Sequence, residues 1–242
     1  LIGVLTAQYG DYGLPPSKSS FYMHALLANH YMEGAGYPVG GAGSIARTVV
    51  PVIEKGGGQV LFYADVKQII VQNNKALGVE MADGKKIYAD TIISDAGVIN
   101  TFGNLLPPEV IAEHKLKDLL KNLDPSAAHM GMYIGIKESA KDLKLPACNY
   151  WVFPAEYNHE VSQSKYQSFE NDLPVGYLSF PAAKDPGWRA KHPDRSTVEA
   201  IIIVPYEWFA KWEDTAWKKR GEEYEALKKH VSEQMLEMLY CV

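Results

Sequence analysis

Two cysteines in 242 residues, Cys148 and Cys241, supply neither metal-ligand spacing nor a disulfide framework. Free thiols in a reducing compartment follow, and a cytoplasmic location with them. The seven histidines are scattered, and His24 and His30 are six apart, so they do not share a helix face. No metal centre is expected. Charge of one sign is also scarce: charged residues are 22% and the net charge is -5. Phosphate backbones require clustered Lys and Arg, so nucleic acid is excluded as a partner. The one basic group, Lys218-Lys219-Arg220, is followed by Glu222-Glu223 and reads as a solvated helix face. No signal peptide and no membrane-length apolar run occurs; Ala200–Val204 stops at Pro205. A peripheral membrane contact stays compatible with this pattern. The G-x-S-x-G nucleophile elbow is missing, as are internal repeats.

What is present is 47% hydrophobic residues, enough to bury a core in one large domain or two small ones. Residues 1–8 read as the tail of a helix and Tyr9–Pro16 as a loop. Ser17–Tyr31 reads as a helix capped by Ser19 or Ser20, with Phe21, Ala25, Leu26 and Ala28 forming an apolar side. A glycine-rich connection spans Gly34–Gly43. The next helix, Ile45–Lys55, points Ile45, Val49, Val52 and Ile53 inward despite Pro51. Strands are expected at Val60–Tyr63, Val66–Val71, Leu77–Met81 and Ile87–Ser94, with turns at Asn73-Asn74 and Asp83-Gly84. Apolar residues on both faces of the first hairpin predict cover on both sides. Val98–Leu106 and Pro108–Leu123 read as helices. Strand patterns follow at His129–Ile136, Tyr150–Phe153, Gly176–Phe180 and Thr197–Val204. Glu207–Lys211 and Ala216–Tyr240 close the chain as helices. The fold class is α+β with mixed β-sheet.

One motif misleads. Gly41-Ala42-Gly43-Ser44-Ile45-Ala46 matches the G-x-G-x-x-A dinucleotide fingerprint, with Asp65 near the ribose-acid position. That fingerprint needs a buried strand directly before its first glycine. Gly34-Ala35-Gly36-Tyr37-Pro38-Val39 cannot be one, so the glycines read as a tight turn opening a helix. Its N-terminal amides, at Gly40–Gly43, can face an anionic or electron-rich group.

Three blocks carry a family likeness. The first is Tyr37-Pro38-x-Gly40-Gly41, the helix after it, Gly57-Gly58 and the strand at Val66. The second is Ile92-Ile93-Ser94-Asp95-Ala96-Gly97. The third is Phe180-Pro181, Asp185-Pro186 and His192–Thr197. Together they resemble the FAD-dependent phytoene desaturase, carotenoid isomerase and retinol saturase group. Asn149-Tyr150-Trp151 and the segment from Tyr206 to Trp212 resemble retinol saturase in particular. The resemblance covers essentially the whole chain. It implies three regions: 1–36 as a helical part of the substrate region, 37–97 as the segment re-entering the FAD domain, and 98–242 as a substrate-binding domain cut within its last helix. It implies FAD contacts at Gly40, Gly41, Val66 and Ala96, the backbone of Val66 lying beside the adenine. No pyrophosphate-binding Rossmann βαβ unit is matched, so the chain reads as an internal segment of a longer enzyme, inactive by itself.

The implied chemistry is saturation, desaturation or isomerisation of a double bond in a long polyene, retinoid or carotenoid, by flavin hydride transfer. Such a substrate asks for an apolar tunnel. The candidates are Phe21, Tyr22, Met23, Met130, Met132 and Tyr133, joined by Tyr150, Trp151, Trp208 and Phe209. For most of them ordinary core packing is the readier role. No catalytic residue is assigned; Tyr37, His24 and Tyr22 are conceivable proton donors. The competing reading is a lipid-binding or interaction module without redox chemistry.

Overall fold

Period-two alternation builds the larger sheet. The computed structural model describes residues 1–123, 127–154 and 157–242. Strands β4 (Ala128–Ile136), β5 (Asn149–Val152), β6 (Gly176–Ser179) and β7 (Ser196–Val204) form an antiparallel sheet in the order β4-β7-β6-β5. Every second residue of β7, from Ser196 to Val204, is buried, and the residues between are half-buried. The buried face packs on the long helix Glu222–Tyr240 through Val231 and Met235, both at most 1% exposed. Met130, Met132, Leu178 and Phe180 join this core. A Cβ on Gly176 would meet the sulfur of Met238, so a larger residue there would have to displace that side chain.

The smaller sheet, β1 (Val66–Gln72), β2 (Lys75–Met81) and β3 (Lys86–Tyr88), is also antiparallel. Asn73 and Asn74 make the first turn with φ of 51° and 59°, the left-handed region asparagine tolerates. The fold is therefore α+β, but the expected mixed β-sheet is corrected: every strand pair among the described residues is antiparallel, because each strand runs back along its neighbour. By contact density the chain divides into two units, Leu1–Val49 with Ser126–Val242, and Val50–Pro125.

Several expectations are corrected. Residues 60–63 are not a strand: Tyr63 adopts φ 53°, which breaks an extended run. The strand expected over Ile87–Ser94 ends at Tyr88, and the last tie to β2 is Ala89 N donating to Leu77 O at 3.0 Å. The small sheet is not covered on both sides. Ile69 and Met81 are buried, but β3 is exposed throughout, and half-exposed Glu80 pairs with Lys67 at 2.8 Å. Ile45, Val49, Val52 and Ile53 are exposed, since no described element covers that stripe of the helix Gly43–Lys55. The apolar side of the helix Phe21–Tyr31 is likewise exposed, although Ser20, one of the two expected caps, does cap it, accepting from Tyr22 N at 3.2 Å.

The helix expected over Pro108–Leu123 splits into Pro108–Glu113 and Leu116–Leu120, because Lys115 sits at φ 51°. The long helix starts at Glu222, later than the expected Ala216, after Gly221 turns the chain at φ 85°. Its first turn holds Glu222, Glu223 and Glu225, the sign that suits a helix N-terminus. Tyr206–Trp212 is a 3-10 stretch. The expected loop at Tyr9 carries a fully buried tyrosine instead, packed on Phe153 and His159.

Candidate functional site

One face of the four-stranded sheet carries the helix; the other is open and forms the floor of a groove of about 530 Å³. Register decides its composition. Gly131 faces Ile201, Ile201 faces Tyr177, and Tyr177 faces Trp151, so these four make one row across all four strands. The row is apolar and flat: Gly131 lacks a side chain, and Trp151 and Tyr177 pack with centroids 4.9 Å apart. Gly10, Asp11 and Tyr31 stand on the groove's rim. Gly10 lies so close to the Trp151 ring that a Cβ would collide with it.

Two residues along, the next row is polar. Tyr133 faces Glu199, Glu199 faces Ser179, and Ser179 faces Asn149. Lys184 reaches over this row, donating to Ser179 Oγ at 2.8 Å and to Asn149 Oδ1. Its Nζ also lies 5.0 Å from the centre of the Tyr37 ring. Burial pushes the Lys184 ammonium below its ordinary pKa, while Glu199 and Cys148 act the other way. Burial raises the Tyr37 and Tyr177 phenols, and the charge of Glu199 adds to both. Asp11 is raised by burial and accepts from Tyr31 OH at 3.3 Å.

A second cavity, about 420 Å³, adjoins the polar row and is lined by Tyr37, Gly40, Gly41, Tyr133, Asp185 and Glu199 among others. Here two of the sequence blocks meet. Gly40 N donates to Asp185 Oδ1 at 2.9 Å, across 145 positions of chain. The same oxygen accepts from Gly187 N at 2.8 Å and caps the helix Pro186–Lys191. Gly41 N donates to Pro38 O at 3.0 Å. Both glycines hold φ near 80°, at 88° and 75°, which a side chain would strain. Their amides are thus occupied, and what they offer a ligand is bare backbone.

The other expected contacts lie in the second unit. Val66 is the half-buried first residue of β1, facing Met81, and Ala96 is exposed just before Gly97, whose φ is 86°. Of the ten tunnel candidates, Tyr133 and Trp151 line the groove. Met130 and Met132 point into the helix-packed core, and Tyr150 packs on Phe180. Trp208 and Phe209 belong to an aromatic cluster with Phe169. Phe21, Tyr22 and Met23 are exposed on their helix. Among the conceivable proton donors, Tyr37 is at the second cavity, while His24 Nδ1 is paired with Tyr12 OH at 3.2 Å. Lys184, Glu199, Tyr177 and Asp11 were missed. The one signal was the strand alternation, which puts Tyr177 and Glu199 on the faces opposite Leu178 and Ala200. No group of three or more His, Cys, Asp or Glu fit to hold a metal occurs among the described residues. No helix among them is long and apolar enough to cross a membrane.

Comparison with known proteins bears on this groove. The chain is 36% identical over 94% of its length to human all-trans-retinol 13,14-reductase. The chain is retinol saturase-like. It is also 28% identical, over 88% of its length, to the chloroplastic prolycopene isomerase of Arabidopsis thaliana. It spans about two-fifths of the reductase, 39%, and 33% of the isomerase. A crystal structure of an oxidoreductase from Methanosarcina mazei shares the fold, with TM-score 0.52 and 19% identity, over 82% of this chain and 40% of that one. No family model matches the chain.

Proposed function

We propose that this retinol saturase-like chain is the substrate-side part of an FAD-dependent oxidoreductase, and that a retinoid or carotenoid polyene lies in the groove over β4-β7-β6-β5. The observation that carries the reading is the apolar row Gly131–Ile201–Tyr177–Trp151, a flat floor spanning the sheet. A polyene is a flat apolar rod, and aromatic rings beside a glycine give it contact without a bulge. The names of the similar proteins, a retinol reductase and a prolycopene isomerase, support the same class of substrate.

FAD is the cofactor of this reading; the residues the family likeness assigns to it are Gly40 and Gly41 in the first unit and Val66 and Ala96 in the second. The geometry of Gly40 and Gly41 fits a flat group laid on bare backbone. It does not fit a phosphate, because both amides already donate. When bound, the flavin supplies the redox chemistry. The chain's own residues orient the polyene, exclude water through Trp151 and Tyr177, and hold a proton at Lys184 Nζ. The occupied amides also favour a second reading, a lipid-binding module without redox chemistry; flavin titration separates the two.

The test is titration of the chain with all-trans-retinol, read by energy transfer from tryptophan. Ile201→Glu puts a charge in the floor and should weaken binding by more than about tenfold, with circular dichroism unchanged. No transfer in the wild type, or undiminished binding in the variant, would overturn the groove assignment.

A further inference from the structure

The polar row beside the apolar floor suggests what one end of the ligand carries. We propose that Lys184 and Glu199 determine specificity by reading a terminal hydroxyl on the polyene, Lys184 donating to its oxygen and Glu199 accepting its proton. The inference rests on the polyene reading of the groove.

Three observations support it. First, position: Glu199 lies one row along β7 from Ile201, and Lys184 is held over the same row by Ser179 and Asn149. A rod lying on Gly131–Ile201–Tyr177 and turning along β7 from Ile201 toward Glu199 reaches this row with its end. Second, valence: an ammonium has three donors. Two are taken here by neutral oxygens, with the Tyr37 ring alongside, so one donor is left to a ligand. Third, the pairing of charges. Lys184 and Glu199 offer one strong donor and one strong acceptor in a half-buried place. A hydroxyl satisfies both. A hydrocarbon end strands both from water, which is costly. A carboxylate end suits Lys184 but meets the like charge of Glu199. Burial weakens the hold of Lys184 on its proton, so it can share that proton with a ligand oxygen.

Three probes test this on the chain, by the same energy transfer: all-trans-retinol, anhydroretinol (its dehydration product, a polyene without oxygen) and all-trans-retinoic acid. The wild type should prefer retinol to anhydroretinol by about tenfold, the scale of one charge-assisted hydrogen bond. Lys184→Met should bring the two within about twofold, by weakening retinol and tightening anhydroretinol, with circular dichroism as in the wild type showing that the variant is folded. Glu199→Gln should gain affinity for retinoic acid, a change that a merely structural residue would not produce. If the wild type binds both neutral retinoids equally, or Lys184→Met keeps the full preference, the end-group assignment falls and the polyene groove stands. If none of the three retinoids binds, the polyene reading itself falls.

Discussion

Oδ1 of Asp185 accepts from Gly187 N at 2.8 Å and from Gly40 N at 2.9 Å, so one atom caps a helix and fixes the glycine turn. The residue is buried, and these backbone donors, Gly40 first, hold its carboxyl below the usual carboxylate range. The sign follows from linkage: a depressed carboxylate stabilises the fold above its unfolded pKa, and that stability is lost as pH falls through the folded value. Thermal melting followed from roughly pH 6 down to pH 3 should therefore fall more steeply for the wild type than for Asp185→Asn. Parallel curves would show that Asp185 carries no such load. Gly10 gives a second prediction at this scale. A Cβ there would strike the Trp151 ring, which would have to leave its packing on Tyr177. Gly10→Ala should cost about 1–3 kcal/mol by overpacking and change the near-ultraviolet dichroism of the tryptophans. An unchanged spectrum with unchanged stability would sink it.

Among elements, the pairing of the long helix Glu222–Tyr240 with β7 carries the core. Met235 is 1% exposed and packs with Ile202, Val204 and Leu178 in one cluster. Met235→Ala should destabilise by about 2–5 kcal/mol, the range for emptying a core site, measured by urea unfolding. Glu237, exposed on the same helix, is the control and should change little. Equal effects at both positions would mean that the helix does not pack as described. The stripe Tyr224, Leu227, Val231, Met235 and Met238 was legible from its helical spacing. The helix's start was not, because residues 216–220 have ordinary helical composition and the break is a positive φ at Gly221. The strands of the larger sheet were legible for a similar reason: their buried and open residues alternate. The false strand at residues 60–63 looked equally apolar, and only the left-handed Tyr63 ended it.

At the scale of the whole molecule, the chain spans about two-fifths of the reductase it is similar to. The amides of Gly40 and Gly41 are spent on Asp185 and Pro38, and FAD affinity draws heavily on phosphate contacts. The purified 242-residue chain should therefore be colourless. Its absorption spectrum checks this, and a flavin band near equal stoichiometry would overturn it.

Sequence alone determined the α+β class, most strand positions of the larger sheet, a serine cap at Ser19 or Ser20 and the likeness to polyene oxidoreductases. All of these rest on local spacing or on residue identity. Tertiary structure decided the site. Tyr133 meets Glu199, and Ser179 meets Asn149, only through strand register. Lys184 had no motif to mark it, and its meaning comes from the row it reaches over. The tie between Gly40 and Asp185 joins two motifs 145 positions apart. Period and propensity act over a few residues, whereas a groove is made by the order in which distant strands pair, and that order is set by burying the opposite face against a helix.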